Sequence, residues 1–362
     1  MARALELARR GAGATSPNPM VGAVLVHGDT IIAEGHHEAP GRQHAEVAAL
    51  RAVPDGAPPL SACTMYVNLE PCCHFGRTPP CADALIHAGV GRVVVGMVDP
   101  DPRVRGGGIA RLRSAGVDVT VGVLEDEAIA LNAAFAAPRT AGRPQVIAKA
   151  AITLDGRIAD AWGHSQWITG PAARAEGHRL RDRVDAVMVG IGTLLADDPA
   201  LTTRLADGAG RHALPVVLDG GLRCPPTARV LQGPRRPRIY ARAPSPPAPL
   251  PADIRVVPDG PGGLDLTAVL ADLHQAGVGS VLVEGGGRVH GSLLAAGLID
   301  ELHLFINPRA LGGGPAWVGP PALPLASAPG YRLLLSRPLG DDLHLVLVRP
   351  PPAAAPAPPE IP

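Results

Sequence analysis

The stretch TMYVNLEPCCHFGRTPPCADALIHAGVGRVVVGMV, residues 64–98, decides the fold of the N-terminal half. Its first six residues form a strand-length run, residues 82–88 read as a helix, and residues 90–98 are nearly all apolar. A near-continuous apolar strand is what a sheet covered on both faces requires. The loop between the first strand and the helix holds Cys72, Cys73, His74 and Cys81 among three prolines. Upstream, residues 1–11 read as a helix ending at Gly11, residues 20–26 and 30–34 as a hairpin about the His27-Gly28-Asp29 turn, and residues 45–52 as a helix. Downstream come a helix at 109–115, a short strand at 117–121 and a last helix at 125–136. Strands alternating with helices predict an α/β sheet with helices on both faces.

A Pro/Gly/Arg connector at residues 138–144 interrupts this pattern, and the alternation then restarts. Strands are expected at 146–152, 186–189, 215–218, 238–241, 280–283, 301–306 and 342–348, with helices near 171–182, 265–276 and 291–296. The chain therefore divides into domains at 1–140 and 145–349, followed by a Pro/Ala tail at 350–362 expected to be disordered. A length of 362 residues independently favours two cores over one.

Lys plus Arg and Asp plus Glu both number 33, so the net charge is zero. Together with 2% aromatic residues, that argues against a nucleic-acid binder, which needs basic grooves and stacking rings. No run of about 18 apolar residues occurs, so no membrane span is expected. Residues 1–10 form an amphipathic segment with three arginines and no apolar signal core, which points to the cytoplasm. Four of the five cysteines lie between Cys63 and Cys81. In a reducing compartment, clustered cysteines bind metal or react more often than they pair.

His44-Ala45-Glu46 opens a predicted helix, Pro71-Cys72 follows a strand, and Cys81 precedes a helix. One imidazole and two thiolates form a three-ligand zinc set with the fourth position open for water, whose pKa zinc lowers to about 7. Glu46 is close enough to move that water's proton without ligating. Zinc deaminases share H-x-E followed by P-C-x-x-C, but here eight residues separate Cys72 from Cys81. On spacing alone Cys63, Cys73 and His74 remain alternative ligands. A lone His-x-Glu carries little weight, and a buried cysteine is usually an inert small hydrophobe. The combination of His-Ala-Glu at a helix start with Glu-Pro-Cys after a strand is what points to zinc.

In the second half, Val187-Met188-Val189-Gly190-Ile191-Gly192-Thr193 and Val281-Leu282-Val283-Glu284-Gly285-Gly286-Gly287 are strands running into glycine turns. Such turns let a phosphate approach the backbone at a helix N-terminus. Neither is a Rossmann fingerprint, the first because Leu195 stands where the third glycine belongs, and on sequence alone a simple tight turn is slightly the better explanation. Lys149 on an apolar strand, Asp155 at its end and the Ser165–Thr169 segment could line a cleft for a nicotinamide and a sugar phosphate.

The run from Glu70 to Cys81, with Gly76-Arg77-Thr78-Pro79-Pro80 inside the long cysteine spacing, resembles the bifunctional riboflavin-biosynthesis deaminase/reductase family. Pro17-Asn18-Pro19-Met20-Val21-Gly22 and His44-Ala45-Glu46 carry the same resemblance. So do Lys149–Arg157, Ser165-Gln166-Trp167-Ile168-Thr169, Asp197-Asp198-Pro199 and Glu284-Gly285-Gly286. It implies a cytidine-deaminase-like three-layer α/β/α domain followed by a dihydrofolate-reductase-like α/β domain. It places zinc on His44, Cys72 and Cys81, proton transfer on Glu46, and the heterocycle near Asn18, leaving Cys73 outside the ligand set. NADPH is implied near Ala151, Trp167, Thr193, Asp197, Gly286 and Gly287. The ribose and phosphate of the pyrimidine substrate are implied near Ser165, Arg181, Arg204 and Glu284. The class also points to a homodimer. Three rivals stand beside this reading: a single-activity deaminase with a non-catalytic second half, a nucleic-acid base editor, and a structural zinc protein with a closed four-ligand site.

Overall fold

The computed structural model describes residues 1–75, 79–206, 208, 210–242 and 249–350. Residues 76–78 of the cysteine loop and residues 351–362 of the Pro/Ala tail lie outside the described residues. Contacts divide the chain into two compact units, one of Met1–Pro144 with Leu273–Gly279 and one of the remainder.

The first unit is ordered α1 (Ala2–Arg9), β1 (Gly22–His27), β2 (Thr30–His36), α2 (Ala45–Arg51), β3 (Thr64–Leu69), α3 (Cys81–His87), β4 (Arg92–Met97), α4 (Gly107–Ser114), β5 (Asp118–Val121), α5 (Glu125–Leu131) and α6 (Ala133–Thr140). Its sheet runs β2-β1-β3-β4-β5, with β1 antiparallel to both neighbours and β3, β4 and β5 mutually parallel. Leu25, Met65, Val67, Leu85, Val93, Val95 and Leu112 are fully enclosed in one core. Two glycines let helices close onto the sheet. A Cβ on Gly22 would stand 2.7 Å from Ala8 N, and one on Gly35 would strike the α2 backbone at Ala45 and Ala49.

The helix expected over 125–136 is two helices, broken at Asn132, and the second continues to Thr140, into the first part of the expected connector. The Asn132 backbone joins both helices, its N–H donating to Ala128 O and its carbonyl accepting from Phe135 and Ala136, while its side chain is engaged with Met20. Its Oδ1 accepts the Met20 N–H at 2.8 Å and its Nδ2 donates to Met20 O at 3.1 Å. Pro138 lies inside α6, two residues before its end.

The second unit contains β6 (Gln145–Thr153), α7 (Pro171–Arg183), β7 (Ala186–Gly190), α8 (Ile191–Asp197), β8 (Leu214–Leu218), β9 (Arg238–Ala241), β10 (Asp253–Val256), β11 (Asp259–Gly260), β12 (Gly263–Leu264), α9 (Leu266–Gln275), β13 (Ser280–Val283), α10 (Gly287–Ala295), β14 (Glu301–Asn307), β15 (Arg332–Leu339) and β16 (Asp342–Val348). Helix α9 straddles the division between the units. Nine strands form one sheet in the order β10-β9-β8-β7-β13-β6-β14-β16-β15, parallel from β10 to β14 and antiparallel beyond. Val187, Val217, Ile239, Leu282 and Phe305 lie at its centre. Helix α10 begins four residues before the expected position. Glycine-rich sequence signals no helix there, but burial of His290 and Leu293 stabilises the turn. Strands β10 and β15 were not anticipated; β15 is exposed along most of its length and lacks an alternating pattern.

Candidate active sites

His44 occupies the cap position of α2, Cys72 follows β3, and Cys81 is the first residue of α3, so three elements converge at one point. Their ligand atoms lie within 4.8 Å of one another. His44 Nδ1 is 3.1 Å from Cys81 Sγ and 3.7 Å from Cys72 Sγ, and the Cys81 N–H donates to Cys72 Sγ at 3.2 Å. The other candidates do not join. Cys63 Sγ faces Pro59 O, and Cys73 Sγ faces the carbonyls of Arg103 and Val104. His74 lines the neighbouring cavity without entering the cluster.

The hydrogen bond between the two thiols pushes Cys72 down to about 4 and Cys81 up, so the pair holds one negative charge. Hydrogen bonding to Cys72 in turn raises His44. This donor set, soft, partly ionised and convergent, fits a zinc ion with one position left for water. Glu46 is 3% exposed beside it. Burial, and then the Cys72 charge, push its carboxyl up to about 7, where it can both accept and return a proton near neutrality.

His44 and Cys72 open onto a cavity of about 460 Å³ whose walls include Asn18, His37, Asp99, Asp101, Phe135 and Arg139. His37 Nδ1 donates to Gln43 O at 2.9 Å, so its Nε2 accepts from Asn18 Nδ2 at 3.1 Å. That bond fixes which way the Asn18 amide faces. Except for Asn18, these wall residues escaped the sequence reading. A usable signal existed in Asp99-Pro100-Asp101, acidic residues just past the carboxyl end of parallel strand β4, where α/β sheets place their sites.

In the second unit, Arg181 Nε and Nη2 each stand 2.6 Å from a Glu284 carboxylate oxygen, and Arg181 Nη1 donates to Thr202 O. Burial would raise Glu284, but the guanidinium outweighs it and brings the carboxyl to about 2. Lys149, lowered by burial, senses the same pair. The Arg204 N–H points to His178 Nδ1 at 3.3 Å, one turn before Arg181. Thus Lys149, Arg181, Arg204 and Glu284 form one polar neighbourhood.

Ser165 Oγ donates to Asp197 Oδ1 at 3.2 Å. A Cβ on Gly285 or Gly286 would come 3.0 or 3.2 Å from Thr193 Oγ1, so these glycines leave room beside a hydroxyl at the start of α10. That cradle fits a phosphate-bearing cofactor such as NADPH. Gly287 also serves packing, since a Cβ there would strike Ala316 O. Ala151 lies on β6 opposite Phe305 of β14. Trp167 is 63% exposed, with Arg174 over its ring at 4.6 Å. Asp155 is engaged elsewhere. It accepts from Thr153 Oγ1 and from the N–H groups of Leu311 and Gly312, tying down that loop.

A convergent His/Cys/Cys set beside a buried carboxyl, on an α/β sheet, is the arrangement of a zinc-dependent deaminase unit, here joined to a second α/β unit with glycine-rich turns. The cytidine and deoxycytidylate deaminase zinc-binding region matches residues 1–97, and the RibD C-terminal domain matches residues 144–345. The riboflavin biosynthesis protein RibD of Escherichia coli (strain K12) is 42% identical over 365 residues, covering 96% of this chain and 98% of that one. The crystal structure of a diaminohydroxyphosphoribosylaminopyrimidine deaminase/5-amino-6-(5-phosphoribosylamino)uracil reductase from Thermotoga maritima superposes with a TM-score of 0.84 at 35% identity, covering 96% of this chain and 97% of that one. Acinetobacter baumannii RibD gives 0.82 at 37%, covering 97% and 98%. The chain belongs to the RibD family of riboflavin biosynthesis enzymes. It is a deaminase and a reductase that uses zinc and NADPH and acts on small pyrimidine substrates. Its two units have the deaminase-like and reductase folds expected from the sequence. Among the described residues, no helix is long and apolar enough to cross a membrane.

Proposed function

We propose that residues 1–140 deaminate 2,5-diamino-6-(5-phosphoribosylamino)pyrimidin-4(3H)-one and that residues 145–349 then reduce its ribosyl group to ribityl. The observation that carries the reading is the convergence of His44 Nδ1 with the Cys72 and Cys81 sulfurs beside buried Glu46. In it, His44, Cys72 and Cys81 would hold zinc, which would supply a water acidic enough to act at neutral pH. Glu46 would take a proton from that water as its oxygen adds to the ring carbon bearing the 2-amino group, and deliver it to a ring nitrogen. It would then carry a second proton, from the new hydroxyl, to the amino group, which leaves as ammonia when the C–N bond breaks. Asn18, oriented by His37, holds the heterocycle. Ala151, Trp167, Thr193, Asp197 and the Gly286-Gly287 turn would hold NADPH, which would supply the hydride for reduction of the opened ribose at C1′. Ser165, Arg181, Arg204 and Glu284 hold the ribose and phosphate, with Lys149 beside them. The enzyme acts in the cytoplasm as a homodimer.

The test follows ammonia release and NADPH absorbance together, in wild type and Glu46→Gln. Wild type should give both signals. The variant should keep its zinc, lose ammonia release, and reduce only when the deaminated intermediate is supplied. Ammonia without NADPH or NADH oxidation, even with that intermediate, would leave a deaminase whose second unit merely binds a ligand. Silence from folded, zinc-loaded protein would mean that the substrate is wrong.

A further inference from the structure

Glu70 lies between β3 and Cys72, 3% exposed, at the wall of the deaminase cavity. Its carboxylate accepts four backbone N–H groups. Oε1 takes those of Gly108 at 2.9 Å and Ile109 at 3.2 Å, and Oε2 those of Asp99 at 3.1 Å and Gly106 at 2.9 Å. A carboxylate offers about four lone-pair sites, so Glu70 has no capacity left for substrate or for a travelling proton. What it does is join two ends of one loop. Asp99 begins the segment after β4, while Gly106, Gly108 and Ile109 are the start of α4, whose own N-cap residue is a glycine without a capping side chain. A negative charge at this helix start satisfies orphan donors and complements the helix dipole.

From Glu70 the order is passed along the cavity wall. The Asp101 N–H donates to Asp99 Oδ1 at 2.8 Å, and the Arg103 N–H donates to Asp101 Oδ1 at 3.0 Å. Each acidic side chain thereby fixes the backbone two residues on. The adjoining segment is seated just as closely: a Cβ on Gly108 would strike Pro71 O, and one on Gly107 would come 2.8 Å from Cys73 Sγ.

We infer that Glu70 is a positioning residue for deamination, its carboxylate holding the Asp99–Arg103 wall of the cavity in register with the Cys72 turn. The inference rests on the deaminase reading of that cavity, but its first readout does not depend on substrate. Glu70→Gln keeps the shape and leaves one oxygen, so at least two of the four donors lose their acceptor. Hydrogen exchange of the amides at 99, 106, 108 and 109 should quicken by about tenfold or more, while β3 and β4 stay protected. With zinc content and reduction of the deaminated intermediate unchanged, the KM for deamination should rise about tenfold, with a smaller fall in kcat. Glu70→Asp retains the charge but is too short to reach both loop ends, and should fall between the two. Unchanged exchange would overturn the inference. So would a loss of activity that only tracks lost zinc or folded protein at constant KM, or failure of both variants to fold, since each leaves Glu70 a purely structural group. If wild type released no ammonia yet the exchange change appeared, the deaminase reading would fall while Glu70 still held the wall.

Discussion

Asp99 illustrates how single residues at the cavity work against stability. It is 6% exposed, and burial pushes its carboxyl up to about 6 from an ordinary value of 3.8. A folded-state value above the unfolded one means that the folded protein binds the proton more tightly, so stability falls as pH rises from about 4 through about 6. Asp99→Asn should therefore melt at a higher temperature than wild type at pH 8, where the ionised group costs of order 2 kcal/mol. The advantage should vanish near pH 4. A melting difference equal at both pH values would show that the charge is not the cause. Glu284 has the opposite sign. Its carboxyl lies at about 2, so its contribution is present above about pH 4.5 and lost as pH falls towards 2. Glu284→Gln leaves Arg181 buried without a countercharge and should cost about 3 kcal/mol. Denaturant melts at pH 7 read that loss directly, and a loss below about 1 kcal/mol would place the pair among exposed ones.

At the level of elements, the convergence of His44, Cys72 and Cys81 depends on how closely helices approach the first sheet. Helix α2 carries His44 at its cap and Glu46 in its first turn, and it approaches β2 through Gly35. Gly35→Ala should push α2 outward, destabilise the unit by about 1–3 kcal/mol, and speed loss of zinc to a chelator, followed with a chromogenic dye. Unchanged zinc release would show that α2 accommodates the methyl without moving its cap. Element types with strong periodicity were legible in the sequence: β3, β4 and α3 fall where residues 64–98 put them. The break at Asn132 was not legible from periodicity, and neither were the side-chain bonds that tie Asn132 to Met20, 112 residues away. Nor was the early start of α10, where tertiary burial overrides a glycine-rich sequence.

For the whole molecule, each unit has its own sheet and its own core. Removing zinc with a chelator should abolish ammonia release while the deaminated intermediate is still reduced at the wild-type rate. Parallel loss of both signals would mean that the reductase unit needs the metal too. The sequence by itself determined the division into two α/β halves, the deaminase signature and the residue types of the metal set. All of these rest on local periodicity and on short motifs whose chemistry demands particular side chains. Spacing alone left Cys63, Cys73 and His74 as rivals to His44, Cys72 and Cys81, and only the family resemblance chose among them. Only the tertiary structure turned Cys63 and Cys73 away from the cluster, built the Asp99–Arg103 wall and gave Glu70 its four donors. The physical reason is that hydrogen bonds and close contacts between residues tens of positions apart are set by how the strands and helices pack, and no local pattern encodes them.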